Sequence, residues 1–569
     1  MSHGSSVNRL AALFVATMVL FCGIVVRLAF LQVHDQGQYE QLGADQRTRT
    51  ISLPAHRGEI LDRDQTPLAI TLDARDIYVN PRYVTDPYSE AATIVQVLTG
   101  LKAADVRRDL TGDGTFVYID RQVDTVLAQQ LQDMKLPGLG FLRVPKRYYP
   151  SGSLAPQVLG FVGVDGNGLA GLESQYDAAL GGVPGAQTQE FSPGGLPIST
   201  AADTLKEPVP GVDLVTTIDR QMQYQVQVAL QRAVQANGAK GGTVVVLDPH
   251  TGDVYAMATY PGFNPNDFAT ADPELWRNRA VTDTFEPGSV NKIITAAAAL
   301  ETGAVSVTRR FHVPPTINVG QFVIHDSEVH PPENMTLGDI ITHSSNVGAA
   351  LVSNQVGNDA MSEYMDRFGY GHTTGLGFPG EAPGKVPTVW DDVIRNGAAY
   401  GQGVSVTPLQ MADVYATIAN GGTWVEPRLV RGSVDTDGVF HDAGPSPSHR
   451  VVRVDTAQML TRMLAEVVLG VTGVEAQIPG YQVAGKTGTA RKLDANGHYI
   501  DKYIASFVGF LPAGAPRLVI AVSLDEPRTV YGGVAAAPLF SEIARYAIQR
   551  LGIAAAPTVP PPPSALPAP

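Results

Sequence analysis

A single cysteine, Cys22, occurs in 569 residues, and it lies inside an apolar run near the N-terminus. An intrachain disulfide is therefore impossible, and no thiol cluster can hold zinc or an iron–sulfur centre. Basic residues are also in deficit: 41 Lys plus Arg face 55 Asp plus Glu, for a formal charge of −14. That balance excludes the broad positive field that nucleic-acid binding draws on, so no nucleic acid is expected as a partner. No internal period of roughly 20 to 50 residues recurs, which sets aside solenoids and propellers.

What is present begins with a membrane signal. Leu10 to Val26 carries no charge, and apolar character resumes after Arg27 as far as Val33. Such a run is long enough for one helical crossing of a bilayer core of about 30 Å. It exceeds the short apolar core of a signal peptide and continues into Phe30, Leu31 and Gln32 without a small-residue cleavage site, so an uncleaved anchor over residues 10–33 is expected. Arg9 in the short head, residues 1–9, and Arg27 and Arg47 beyond orient the span only weakly by charge.

The remaining length calls for two or three folded units. Residues 34–205 mix short alternating strands, among them Thr71–Val79 and Phe116–Ile119, with turn-rich stretches, and read as a non-catalytic platform. The segment Thr200–Gly211, with Pro208 and Pro210, is the expected boundary, and a second domain is expected over 206–553. Its first two strands, Gly242–Leu247 and Val254–Thr259, flank a hairpin turn. Helical patterning follows at Val290–Leu300, Leu337–Thr342, Pro408–Ile418 and Thr456–Leu469. Strands return at Tyr481–Ala490, Tyr503–Phe510 and Arg517–Leu524, and Pro538–Leu551 reads as a closing helix. Helices set between outer strands define an α+β class. The tail, 554–569, is mostly Pro and Ala and should stay extended or disordered.

Chemistry concentrates in three places. In Glu286-Pro287-Gly288-Ser289-Val290-Asn291-Lys292, a Pro-Gly turn feeds a helix that sets a hydroxyl and an amine on one face. A serine hydroxyl is a poor nucleophile until a base takes its proton, and a neutral Lys292 one turn from Ser289 is the candidate base. Neutrality requires burial or a neighbouring cation, for which Lys486 is the candidate. A Ser-x-x-Lys alone is more often an exposed helix pair, so its weight comes from companions. Ser344-Ser345-Asn346 offers Ser344 as a proton relay and Asn346 as an amide for substrate, although in isolation it reads as a helix cap. Gly485-Lys486-Thr487-Gly488-Thr489-Ala490 offers a strand beside which a substrate backbone can lie, with Lys486 and the hydroxyls of Thr487 and Thr489 to receive a carboxylate.

The three motifs, in this order, resemble those of penicillin-binding proteins and serine β-lactamases, except that Asn346 follows Ser345 rather than Asp. The chain as a whole resembles the class B penicillin-binding proteins, the monofunctional peptidoglycan transpeptidases. Supporting phrases are Arg57-Gly58-Glu59-Ile60-Leu61-Asp62-Arg63-Asp64, Arg147-Tyr148-Tyr149-Pro150, Gly168-Leu169-Ala170-Gly171-Leu172-Glu173, Thr216-Thr217-Ile218-Asp219, Tyr400-Gly401-Gln402-Gly403 and Gly532-Gly533. One departure is Gln65, where the family's first phrase usually closes with glycine.

The resemblance implies a transmembrane anchor, an extended β-rich pedestal, and a transpeptidase domain with an antiparallel sheet, helices on both faces and an inserted all-helical region. It implies that Ser289 attacks the D-Ala–D-Ala carbonyl of a stem peptide and that a neighbouring amine resolves the acyl-enzyme, with the backbone N–H groups of Ser289 and Thr489 as oxyanion hole. It implies no metal and no organic cofactor. Expected partners are peptidoglycan stem peptides, lipid-linked precursors, β-lactam antibiotics, the membrane, and a polytopic SEDS-type glycan polymerase (FtsW-like) among other division proteins. The catalytic domain is expected outside the cytoplasmic membrane with the N-terminus inside. The compact pedestal and lack of appended repeats look closer to the division type (FtsI- or PBP3-like) than to the elongation type.

The sequence disfavours the alternative readings, a β-lactamase, a β-lactam sensor or scaffold, and a bifunctional enzyme. A β-lactamase needs a base for water, and no Glu-x-x-Leu-Asn lies between Ser344 and Lys486; the look-alike at Glu466 ends in Gly470. A β-lactam sensor would carry a signalling domain, a silent scaffold would not keep all four catalytic residues, and a bifunctional enzyme needs a glycosyltransferase domain. His325, His330 and His343 lack metal-ligand spacing.

Overall fold

The computed structural model describes residues 4–33, 48–190, 204–470, 472–494 and 496–562. Arg47, the first residues of the Thr200–Gly211 segment and the tail's 563–569 lie outside the described residues. Two compact units form: Met1–His56 with Gly182–Pro210, and Arg57–Gly181 with Gly211–Pro569.

In the first unit the apolar run forms one helix, Gly4–Val33, whose Val7–Gln32 stretch has a mean hydropathy of 2.4 and is unburied. Length and composition suit a membrane crossing. Three antiparallel strands, Thr48–Leu53, Gly185–Glu190 and Thr204–Lys206, form a small sheet.

The second unit holds two large sheets. The seven-stranded sheet joins Pro67–Val79 and its neighbours Val117–Asp124 and Leu139–Tyr148 to Ile60–Leu61, which pairs in parallel with Asp213–Thr216. Asp213–Thr216 in turn pairs with Val430–Val434, so this sheet draws on both halves of the chain. Beside it three of the distant sequence phrases converge on Glu173, whose side chain is fully buried. Arg57 Nε donates to its Oε2 at 2.7 Å and Arg147 Nε to its Oε1 at 2.6 Å, while the Tyr149 hydroxyl lies 3.2 Å from Oε1. A buried carboxylate with both oxygens engaged is tolerated; losing Glu173 would leave two buried arginines without their shared counter-charge. In the turn after Arg57, Gln65 adopts φ +60°, a left-handed conformation that glycine takes without steric cost. The departure from the family phrase thus falls on a position whose conformation favours the glycine it replaces.

The catalytic sheet comprises β1 (Gly241–Leu247), β2 (Val254–Tyr260), β3 (Ala484–Leu493), β4 (Tyr499–Leu511) and β5 (Leu518–Asp525), in the order β2-β1-β5-β4-β3, antiparallel throughout. Both faces are covered, so its strands are rich in branched apolar residues and alternate between two cores. Val245 and Leu247 face the core built around Ile293 and Ile294, whereas Val244 and Val246 face the core holding Met222 and Phe540. Burying each such side chain contributes about 1.5 to 3 kcal/mol.

The helices are α1 (Lys292–Glu301), α2 (Leu337–Thr342), α3 (Asn346–Val356), α4 (Pro408–Ala419), α5 (Val454–Gly470) and α6 (Ala537–Leu551). α1 is apolar almost all round and is buried over nearly its whole length, as a central helix must be. α4 starts on a reciprocal cap between Thr407 and Gln410 with Pro408 at its first position, and α2 starts on the same device between Thr336 and Asp339. The inserted region is not wholly helical. It also carries short two-stranded ladders, Arg310–Val313 with Glu333–Thr336, Thr316–Val319 with Phe322–His325, and Thr423–Val425 with Ser448–Arg450. The expected strand from Tyr481 starts later, at Ala484, because Tyr481 turns back in a bridge to Ile478.

The proline-rich tail is extended as expected, but through residue 562 it is also held. Gln482 clamps one residue of it: the Val559 N–H donates to Oε1 at 2.6 Å, and Nε2 donates to the Val559 carbonyl at 3.2 Å. The Tyr481 hydroxyl donates to the Ile553 carbonyl at 2.7 Å, and Ile553 is buried. Prolines lose little conformational entropy on docking, so a few such bonds suffice.

Candidate active site

Ser289 lies in a short 3-10 turn, Gly288–Asn291, that runs directly into α1. The turn is pinned from below. The Asn291 amide donates to the Ala398 carbonyl at 2.7 Å and receives the Tyr370 hydroxyl at 2.7 Å, and the Tyr415 hydroxyl donates to the Val290 carbonyl at 3.0 Å. Gly288 sits at φ +57° and Gly401 packs on it so closely that a Cβ on Gly401 would lie 2.3 Å from the Gly288 carbonyl oxygen. That contact explains the first glycine of the Tyr400–Gly403 phrase.

The sequence-predicted residues come together here. Lys292 is fully buried, and its Nζ lies 3.0 Å from Ser289 Oγ, 3.2 Å from Ser344 Oγ and 2.8 Å from Asn346 Oδ1, with a further bond to the Ser344 carbonyl. Lys486, equally buried, donates to Ser344 Oγ at 2.8 Å. Burial pushes the Lys292 amine well below the usual lysine range; the charge of Lys486 pushes it further down, and Asp326 opposes both. Burial brings Lys486 down to about 7.

The Ser-Ser-Asn motif fulfils its two readings on different residues. Ser345 is the cap of α3, accepting from the Gly348 N–H at 2.8 Å, while Ser344 and Asn346 on either side face the lysines. Ser344, in the link between α2 and α3, has φ +59°, a strained value for a non-glycine residue, and its hydroxyl meets the amines of Lys292 and Lys486. Sequence reasoning missed what holds this loop. Asp326 accepts the N–H groups of Asn346 and Val347 and the Ser345 hydroxyl, and it contacts His330 Nε2 at 2.9 Å. His325 contributes through its carbonyl, which accepts the Asn346 amide at 3.0 Å. Only the ladder at Phe322–His325 brings Asp326 here, and no local pattern signals it.

The third motif occupies β3, the last strand of the sheet, with no further strand on its other edge among the described residues. That free edge can receive an extended peptide. Gly488 is required from within: a Cβ there would lie 2.3 Å from Ser506 Oγ and 3.0 Å from Val290, so the glycine lets the nucleophile turn pack on β3. Behind it, a Cβ on Gly532 would meet the Ser506 and Gly488 carbonyls at 2.2 and 2.4 Å. Thr487 Oγ1 lies 3.4 Å from Lys486 Nζ. The Thr489 hydroxyl instead donates to the Val530 carbonyl at 3.1 Å.

A nucleophilic hydroxyl beside a deprotonatable amine, a second hydroxyl shared with a cationic amine, and an open strand edge make an arrangement suited to acyl transfer from a peptide bearing a carboxylate. Comparison with known proteins agrees with this geometry. Residues 242–545 match the penicillin-binding protein transpeptidase domain, and residues 52–216 match the penicillin-binding protein dimerisation domain. The penicillin-binding protein PbpB of Mycobacterium tuberculosis is 37% identical over 96% of this chain and 85% of its own length. The peptidoglycan D,D-transpeptidase FtsI of Escherichia coli is 33% identical over 92% of this chain and 90% of its own length. The crystal structure of penicillin-binding protein 3 from M. tuberculosis complexed with ampicillin superposes with a TM-score of 0.71 at 34% identity, covering 90% of this chain and 99% of that one.

Proposed function

Because this chain belongs to the class B penicillin-binding proteins, with dimerisation and transpeptidase domains, we propose that it is a peptidoglycan D,D-transpeptidase that crosslinks stem peptides through an acyl-enzyme on Ser289. The observation that carries this reading is the hydrogen-bonded chain that runs from Ser289 through Lys292 and Ser344 to Lys486.

In this mechanism neutral Lys292 takes the Ser289 hydroxyl proton as Oγ bonds to the penultimate D-Ala carbonyl carbon. The N–H groups of Ser289 and Thr489 hold the oxyanion. Collapse breaks the C–N bond, and the departing D-Ala amine takes its proton from the Ser344 hydroxyl, which the neighbouring lysines replenish. An acceptor amine then attacks the ester and the proton path runs in reverse, regenerating Ser289. Lys486 and Thr487 hold the donor's terminal carboxylate, and Asn346 a substrate amide. β-Lactams enter by the same route and stay as stable acyl-enzymes. Thr489 contributes its backbone N–H first, since its hydroxyl is already engaged.

The FtsI and PbpB relatives favour septal wall synthesis, in which a polytopic SEDS-type glycan polymerase supplies strands to a catalytic domain held outside the cytoplasmic membrane by the N-terminal helix. Failure to co-purify with, or to be co-activated by, that polymerase would contradict the partnership. The deciding experiment labels wild type and Ser289→Ala with a fluorescent penicillin and assays crosslinking of lipid-linked stem peptides. Wild type labels and crosslinks, and the variant does neither. Undiminished labelling of Ser289→Ala overturns the assignment.

A further inference from the structure

Three separate segments meet at Glu286, just before the nucleophile turn. Its buried carboxylate accepts the Gly403 N–H on Oε1 at 2.8 Å, and the Tyr499 hydroxyl lies 3.0 and 2.9 Å from Oε1 and Oε2. Gly403 closes the Tyr400–Gly403 turn. Tyr499 opens β4, the return strand of the hairpin whose outgoing strand carries Lys486 and Thr489, and it pairs with Leu493 near the hairpin's end. Flanking backbone bonds reinforce the contact: Phe285 and Val406 exchange N–H and carbonyl at 2.9 Å each way, and the Gly288 N–H donates to the Gly401 carbonyl at 3.2 Å.

Burial raises the affinity of this carboxyl for a proton, and the bonds from Gly403 and Tyr499 oppose that. An apolar side chain would fill the same volume without the desolvation cost, but it would leave the Gly403 N–H without its acceptor and release the Tyr499 hydroxyl. The mechanism assigns Glu286 no proton and no substrate contact. Its oxygens instead join the turn that carries Ser289 to Gly403 and to Tyr499 of the hairpin.

We propose that Glu286 is a positioning residue for acylation, tying the Tyr400–Gly403 turn and the β3–β4 hairpin to the nucleophile turn. The proposal rests on the reading of Ser289 as the acylated residue.

The test resolves acylation of the full-length chain by a fluorescent penicillin into a binding constant and a first-order acylation constant, with Tm measured for each variant. Glu286→Ala is expected to lower the first-order constant about 10- to 100-fold while leaving the binding constant nearly unchanged, as misplacement of a reacting group does. Glu286→Gln keeps an acceptor for Gly403 and a partner for Tyr499, and is expected to restore most of the rate. Tyr499→Phe, at a partly exposed ring, is expected to slow acylation in the same constant, and to add little when combined with Glu286→Ala, because the two share one contact. If Glu286→Ala does not fold, Tyr499→Phe and Glu286→Gln carry the test. A wild-type first-order constant in Glu286→Ala or Tyr499→Phe, or a loss that follows only the folded fraction, overturns the proposal. Labelling that survives in Ser289→Ala would instead overturn the acyl-enzyme reading beneath it.

Discussion

Lys486 Nζ stands 2.8 Å from the Ser344 hydroxyl, an oxygen that Lys292 also reaches, at 3.2 Å. Two buried amines sharing one hydroxyl cannot both hold a full charge at low cost. The proposed mechanism divides the labour accordingly: Lys292, driven toward neutrality, serves as base, and Lys486 keeps charge for the carboxylate.

The first prediction is a bell-shaped pH profile for acylation. Lys292 works when neutral, so the rate climbs as pH rises through its lowered pKa. Lys486 works when charged, so in the free enzyme the rate falls as pH passes about 7. Lys486→Arg keeps its charge and should lose the alkaline limb, at a lower plateau because a planar fork replaces a point charge. Lys292→Met should lower the plateau by about 100-fold or more. Stopped-flow acylation across pH values checks all three.

Gly532→Ala should disturb both stability and rate. The new Cβ meets two backbone carbonyls, of Ser506 and Gly488, neither of which can rotate away. Overpacking of this kind costs about 1 to 3 kcal/mol. Urea unfolding should show the loss, and acylation should slow because Gly488 and Thr489 move with β3.

Gln65→Gly should stabilise the chain. A left-handed conformation costs a non-glycine residue about 1 to 2 kcal/mol, and glycine gives back about 0.4 to 1 through its freer unfolded state. The expected net gain is about 0.5 to 1 kcal/mol, seen as a higher unfolding midpoint with unchanged penicillin labelling.

Asp413→Asn should stabilise the chain at neutral and alkaline pH. Asp413 is buried in α4, with Oδ2 unpartnered among the described residues. Burial, then repulsion from Glu381 and Glu426, pushes its carboxyl well above the ordinary 3.8. The folded state therefore holds that proton more tightly than the unfolded state. The associated stability is complete below the ordinary value and is lost as pH rises through the raised one. The Tm advantage of the variant should be largest near pH 8, about 1 °C per kcal/mol gained in a unit of this size, and should shrink on acidification.

The site was legible where its logic is local. A Pro-Gly turn followed by Ser289 and Lys292 one helical turn apart carries its geometry in its spacing, and Gly488 announces a close approach, although the approach proves to be that of the nucleophile turn. The contributions of Asp326 and Tyr499 were not legible, because each sits at a short hairpin whose partner in the site lies far off in the sequence, Asn346 for the one and Glu286 for the other. The tail's composition carries no sign of its anchor: Pro and Ala cannot build a core, and Gln482 holds it through one backbone amide and one carbonyl. The fold class was readable from the order of strands and helices, whereas the ladders within the inserted region were too short to show a period.

Central strand β1 takes β5 as its neighbour, Val246 opposite Ile520, with the whole inserted region lying between them in the chain. Of this sheet an emerging polypeptide can therefore form only the β1–β2 hairpin early, and the sheet must wait for β3, β4 and β5 to arrive before it closes. During that interval the apolar faces of β1 stay open, so the interval is where a holding chaperone would matter and where a premature stop would be felt most. A truncation that spared all three catalytic motifs but removed β5 would abolish the site by leaving its floor unbuilt.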